Sequence, residues 1–293
     1  MMVKPLFKWT GGKGRLFQKY NELNFFPHPD EFDVFVDLFF GAGAVSCWVH
    51  NLMPDKELII NDLNTEMVNV YQQIRDNWDE FRDSYRRVVD KMLDTPLDKR
   101  KEAWLDMKHQ YCWGYSDMSL VDQAASLLFM LKTNFNGIWV SHYKKWNLRF
   151  GTPPGHVNYK ERNFTLDELE KFKDMLDRAT IYNLPFDCVP IPDRAWVYAD
   201  PPYRDTGKMY SAQFNDALQT RLAFHLQKFD CLYAESNKEI GDGFWEEHFP
   251  DAHIHYLDHK YTCGHGDTVN DVTEVLVKNY GKILDPVTLD MFL

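Results

Sequence analysis

Val34-Phe-Val-Asp-Leu-Phe-Phe-Gly-Ala-Gly-Ala-Val45 is an apolar run that stops at a Gly-x-Gly turn and resumes with helix-compatible residues. A strand this apolar, with Asp37 as its first charge, reads as buried on both faces, the signature of a parallel sheet. Gly41 and Gly43 allow a tight turn that brings the backbone close to a nucleotide-like ligand. Outward from this segment, further short apolar runs occur at Leu58–Ile60, Thr180–Tyr182, Trp196–Ala199, Cys231–Ala234, Ile254–Leu257 and Val275–Val277. Most are separated by helix-period or loop segments. Strands that alternate with helices imply an α/β fold, with a mainly parallel sheet covered on both sides.

One stretch breaks that rhythm. From Asn64, a candidate N-cap, apolar residues Met67, Val70, Tyr71, Ile74, Trp78, Phe81, Tyr85, Val88, Val89 and Met92 recur at steps suited to one helical face. This predicts one long helix ended by Thr95-Pro96, a second around Leu97–Tyr111, and a third from near Ser119 through Leu131. Residues 134–155 are rich in Asn, Gly and Pro, a loop or hairpin signature. The Thr165-x-x-Glu168 capping box then marks a return to helix and strand. The expected organisation is a helical insertion over 64–162 interrupting an α/β domain made of 1–63 and 163–293.

The 293 residues contain 44% hydrophobic and 26% charged residues, which excludes a disordered, collagen-like or coiled-coil chain. No apolar run approaches the ~20 residues of a membrane span, and MMVKPLFKWTGGKG has no apolar signal core, so a cytoplasmic protein is expected. The five Cys at 47, 112, 188, 231 and 263 form no Cys-x-x-Cys pair and read as reduced thiols. Net charge is −11, against a surface that coats nucleic acid throughout. Between Lys132 and Arg162, however, six Lys and Arg face Glu161 alone, interleaved with Phe135, Trp139, Tyr143, Trp146, Phe150 and Tyr159. A basic, aromatic segment on an acidic chain fits a polyanion gripped at one place.

Asp62, ending the second strand, is placed to accept hydrogen bonds from both hydroxyls of a ribose. Ser46 stands where a dinucleotide fingerprint wants Gly or Ala, so a nicotinamide fits poorly and another nucleoside-bearing cofactor fits better. Lys8-Trp-Thr-Gly-Gly-Lys-Gly14 lacks the spacing of a phosphate-binding P-loop. It reads either as a flexible loop or as an aromatic and a cation folded over a ligand bearing a carboxylate. His253, His255, His259, Cys263 and His265 crowd one span, but loop contacts explain them better than a metal, and no metal site is expected.

Trp196-Val-Tyr-Ala-Asp200-Pro201-Pro202-Tyr203 carries the most chemistry. Pro-Pro cannot donate ladder bonds, so the strand stops there in an extended backbone with free carbonyls. The Asp200 carboxylate and the Pro201 carbonyl then form a rigid acceptor pair suited to an NH₂ group, with Tyr203 offering a ring face to a planar base. An exocyclic amine is a poor nucleophile because its lone pair is delocalised. Accepting both its N–H bonds pulls the nitrogen toward tetrahedral geometry and stabilises positive charge as a methyl arrives from a sulfonium. The amino group of adenine or of cytosine would suit this pair. A catalytically silent DNA-binding module on the same fold is the rival of another class.

Together KWTGGKG (8–14), DLFFGAG (37–43), NDLN (61–64), ADPPY (199–203), ESN (235–237) and TEVLVKNY (273–280) resemble the Dam-type, D12-class (α-group) DNA adenine-N6 methyltransferases. The resemblance touches both ends of the chain. It implies a Rossmann-like, S-adenosylmethionine-dependent methyltransferase sheet with a helical target-recognition insertion. It also implies site-specific methyl transfer to N6 of an adenine flipped out of double-stranded DNA. Trp9, Lys13, Asp37, Phe39, Phe40, Gly41, Ala42, Gly43, Asp62 and Asp200 would hold the cofactor, and Asp200, Pro201, Pro202 and Tyr203 the target base. Asn134, Asn136, His142, Lys144, Lys145, Asn147 and Arg149 would face DNA. A monomer or weak dimer in a bacterial or phage-infected cytoplasm, with a restriction enzyme as companion, is the implied setting. Val140, His142 and Arg149 replace the Arg, Asn and Pro of the family pattern, so the chemistry carries over while a GATC target does not.

Overall fold

The structure is a computed structural model that describes residues 2–9, 12–114, 117–134, 160–204, 214–261 and 270–281. Among the described residues, seven strands form one sheet: β1 (Val34–Asp37), β2 (Glu57–Asn61), β3 (Ala179–Tyr182), β4 (Ala195–Ala199), β5 (Leu232–Lys238), β6 (His253–Tyr261) and β7 (Asn270–Lys278). Their order is β3-β2-β1-β4-β5-β7-β6. The first five are parallel, with Asp37 in register with Tyr198 and Ala199 with Glu235. β7 alone is reversed, pairing antiparallel with β5 and with β6, so the sheet is mainly parallel, with one antiparallel strand inserted near its edge.

Alternation along the strands divides the core. Phe35, Leu58, Ile60, Trp196, Tyr198, Ala234 and Leu276 face one cluster. Val34, Val36, Ile59, Val197, Tyr233, Val275 and Val277 face the other. The second face is covered by α8 (Asp216–Gln227) and α9 (Phe244–His248). The first takes α1 (Phe17–Glu22), α2 (Ala44–Leu52), α3 (Thr65–Asp76), α4 (Trp78–Asp94), α5 (Arg100–Trp113), α6 (Leu120–Thr133) and α7 (Leu166–Leu176). The helices α3 to α6 thus share one continuous core with the sheet. Every residue of α6 from Gln123 to Leu131 is buried, and Trp104 Nε1 donates to its Thr133 Oγ1 at 2.8 Å.

Two local expectations need correction. The long helix predicted from Asn64 to Thr95 is two helices, broken at Asn77 (φ −127°, ψ 45°), whose side chain donates back to Gln73 Oε1 at 2.7 Å. The apolar period continues through the break because α3 and α4 both pack on α6. Thr165 does cap α7 by position, but its side chain makes no capping bond. Glu168 instead meets Lys132 Nζ at 3.3 Å. Asn64 caps α3 as expected, accepting from the N–H groups of Glu66 and Met67.

The order of the sheet fixes where a ligand can sit. β2 and β3 lie to one side of β1, β4 and β5 to the other. Connections leaving the carboxyl ends of β1 and β4 diverge and open a crevice there.

Candidate active site

The β1 side of the crevice starts at Asp37 and runs through Leu38 and Phe39 into the glycine turn. Gly41 (φ +50°) and Gly43 (φ +75°) both adopt the left-handed region that an L side chain resists. A Cβ on Gly43 would lie 2.4 Å from the Phe40 ring, and one on Gly41 would lie 3.1 Å from Trp9 Nε1. The turn therefore needs glycine twice, and Trp9 lies directly against it. Phe40 stacks edge-on with Tyr71 at 4.8 Å, and the Tyr71 hydroxyl donates to the Gly41 carbonyl, tying the turn to α3.

Asp62 follows β2. Its carboxylate accepts the Gly41 N–H and the Asn64 N–H, each at 2.8 Å, which joins the second acid to the turn. Burial nevertheless raises its pKa. Asp37 is buried too, and accepts the Ser46 hydroxyl at 2.7 Å. Ser46, where a dinucleotide site would want glycine, is thus the hydroxyl that holds Asp37. The other oxygen, Oδ1, has no hydrogen-bond partner of ordinary geometry among the described residues. Desolvation, opposed by the Ser46 bond and reinforced by Asp200 and Asp62, pushes Asp37 up to about 7.

The β4 side begins with Asp200. Lys13, 1% exposed on a short 3-10 turn, donates to both Asp200 oxygens at 2.6 and 2.7 Å and to the Tyr203 hydroxyl at 2.7 Å. Burial pushes Asp200 up to about 6 against the pull of Lys13, with Glu274 adding to the rise. After Tyr203 the chain is anchored by Arg204. Its N–H donates to Asn237 Oδ1 at 3.0 Å, and its guanidinium holds Asp242 at 2.9 and 2.6 Å and Asp216 at 3.0 Å, over the Phe244 ring. Beneath it, Asn237 donates to Gln219, and Gln219 to the buried Glu235. Burial raises Glu235 to about 8.

The sequence-derived residues Trp9, Lys13, Asp37, Phe39, Phe40, Gly41, Ala42, Gly43, Asp62 and Asp200–Tyr203 therefore gather at the carboxyl ends of β1, β2 and β4. The sequence pattern places Lys13 over a ligand's carboxylate; in the structure it sits on a carboxylate of the chain itself, that of Asp200. Asn134, at the end of α6, is buried. Asn136, His142, Lys144, Lys145, Asn147 and Arg149 lie outside the described residues, as do Cys263 and His265. His253 and His255 are on β6, and no group of three His, Cys, Asp or Glu among the described residues could hold a metal ion. Residues that motif reading did not single out are Tyr20, Tyr198, Arg204, Phe186, Phe214 and, within quoted motifs, Ser236 and Glu274. Phe39, Phe186 and Phe214 make an aromatic wall, with centroids 5.6 to 5.9 Å apart. An acid inside the apolar run Val272–Val277 was the one available signal for Glu274.

A Rossmann-like sheet with Asp-Pro-Pro-Tyr at its switch point, beside a glycine turn, defines the class of amino-group methyltransferases. The chain belongs to the D12 class of N6 adenine-specific DNA methyltransferases, whose family model matches residues 9–263. It is similar to a type II methyltransferase, M1.LlaDCHI, of Lactococcus lactis subsp. cremoris, at 28% identity over 95% of this chain and 96% of that protein. A second type II methyltransferase, M.MjaIII of Methanocaldococcus jannaschii, is 27% identical over 78% of this chain and 81% of its own. The DNA adenine methylase of Escherichia coli K12 is 24% identical over 84% and 78%.

Proposed function

We propose that the chain transfers the methyl group of S-adenosylmethionine to N6 of an adenine flipped out of double-stranded DNA, within a specific site. The observation that carries the reading is the Asp200 carboxylate at the end of β4, followed by the Pro201 carbonyl, opposite the Gly41–Gly43 turn. The residues present suit the donor. Three acids, the buried Asp37 and the part-buried Asp62 and Asp200, surround the turn, Asp37 Oδ1 has an unused acceptor position among the described residues, and a cation-bearing nucleoside supplies both charge and donors. When bound, the donor supplies an electrophilic methyl on a sulfonium.

The chain does the rest. Trp9 and Phe39 would line the nucleoside, and Asp62 would accept from the ribose. Asp200 Oδ and the Pro201 carbonyl accept the two N–H bonds of the amine, localising its lone pair and stabilising the charge that grows on nitrogen. Tyr203 stacks on the extruded base, whose removal from the helix costs a few kcal/mol. Residues 64–162 serve as the DNA-recognition insertion, with Lys144, Lys145 and Arg149 on phosphates or base edges and Asn136, His142 and Asn147 beside them. A cytoplasmic monomer or weak dimer paired with a restriction enzyme fits the type II relatives.

The test is incubation of unmethylated duplex DNA with the chain and labelled S-adenosylmethionine, then digestion to nucleosides and mass analysis. N6-methyladenine is the expected product. N4-methylcytosine, or no labelled base, would overturn the reading.

A further inference from the structure

Glu274 lies on β7, in register with Lys238 and Leu257, and its side chain is fully buried. A carboxylate so withdrawn from water is tolerated only when paired and hydrogen-bonded. Tyr20, from α1, donates to it at 2.5 Å. The Tyr20 hydroxyl also lies 2.7 Å from Ser236 Oγ, which lies 2.7 Å from the Tyr198 hydroxyl. Three elements therefore fix this carboxylate in place, and it stands 4.0 Å from Lys13 Nζ.

We propose that Glu274 is a positioning residue for methyl transfer: a fixed second anion that draws the Lys13 ammonium off the Asp200 oxygens when an amine docks there. The proposal rests on Asp200 being the amine acceptor. With Nζ at 2.6 and 2.7 Å from both oxygens, Lys13 occupies the place an N–H donor must take. A cation left there also opposes positive charge on the reacting nitrogen. A movement on the order of 1 Å brings Nζ within hydrogen-bonding range of Glu274, so Lys13 changes partner without becoming a lone buried cation. Two carboxylates and one ammonium also leave one negative charge in excess, matched to the charge that the amine acquires. With Glu274 neutral, that excess disappears and Asp200 remains the nearer anion to Lys13.

Single-turnover methylation of unmethylated duplex DNA, with donor affinity measured by calorimetry, tests this in E274Q, K13M, the double variant and D200A. The Gln carbonyl still accepts from Tyr20, which keeps that buried hydrogen bond. E274Q is expected to lose on the order of 10- to 100-fold in the transfer rate with donor affinity unchanged. Because Glu274 acts through Lys13, adding E274Q to K13M is expected to cost little more. A wild-type rate in E274Q, or fully additive losses, would overturn the proposal. D200A separates the two ideas: an active D200A removes the reading of Asp200 itself, whereas an inactive D200A with a wild-type E274Q removes only the role of Glu274. Should E274Q fail to fold, Y20F carries the test. A slower transfer rate, again non-additive with K13M, supports the proposal, and an unchanged rate overturns it.

Discussion

Replacing Lys13 by methionine keeps most of the buried volume and removes the cation that holds Asp200 ionised. With its carboxyl at about 6, roughly nine in ten Asp200 side chains are charged at pH 7. An opposite charge this close lowers a carboxyl pKa by about 1–3 units, so its loss moves Asp200 to ~7–9. The ionised fraction at pH 7 then falls to about one half at the small end and about one in a hundred at the large end. Since only the carboxylate accepts from the amine, kcat at pH 7 falls by ~2- to ~100-fold and recovers as the pH is raised. The sign is specific: the active form is deprotonated, so activity is lost as pH falls through the pKa, and the variant loses it at higher pH than the wild type. The assay is kcat for labelled-methyl transfer to unmethylated DNA between pH 5 and 9.5, with folding checked by circular dichroism. A K13M profile that superimposes on the wild type, or a uniform loss with no alkaline recovery, would refute the assignment of Lys13 as the partner that keeps Asp200 charged.

Other perturbations read other parts of the site. R204M removes the anchor behind Tyr203; because Asp216 and Asp242 are more than a third open to water, the expected loss is only about 2 kcal/mol by denaturant unfolding, with a fall in kcat as well. Glu235, held at about 8 against an ordinary 4.5, favours folding below ~4.5, and that stability is lost as pH rises through 8. E235Q should therefore melt above the wild type at pH 9 and close to it at pH 4. G43A places a side chain at φ +75° and against Phe40; a loss of at least about 1–3 kcal/mol in unfolding free energy is expected, and an unchanged midpoint would contradict the strained turn.

The central sheet was legible because strand, turn and helix signals coincide within a few residues. The Val34–Val45 segment and Trp196–Tyr203 each mark a strand end with residues that cannot continue a ladder. Their meeting followed from α/β topology, since consecutive parallel strands place their carboxyl ends together. The break at Asn77 was not legible, because a periodicity that satisfies two helices on one partner also satisfies one. Nor was the pairing of Lys13 with Asp200, which are 187 positions apart: a lysine in a glycine-rich segment says nothing about which anion it will meet. Glu274 and Ser236 lay within motifs already singled out, but their roles depend on the antiparallel addition of β7 beside β5, and short apolar runs do not announce direction. Ser46 was read only as a poor fit to a dinucleotide fingerprint, whereas in the fold its hydroxyl secures Asp37.

Quantified transfer of labelled methyl from S-adenosylmethionine to adenine by D200A, beside the wild-type chain, bears most directly on how the site works. A folded variant whose transfer is abolished is the expected result. A folded D200A that still yields N6-methyladenine at the wild-type rate would mean that the amine is held by some other group.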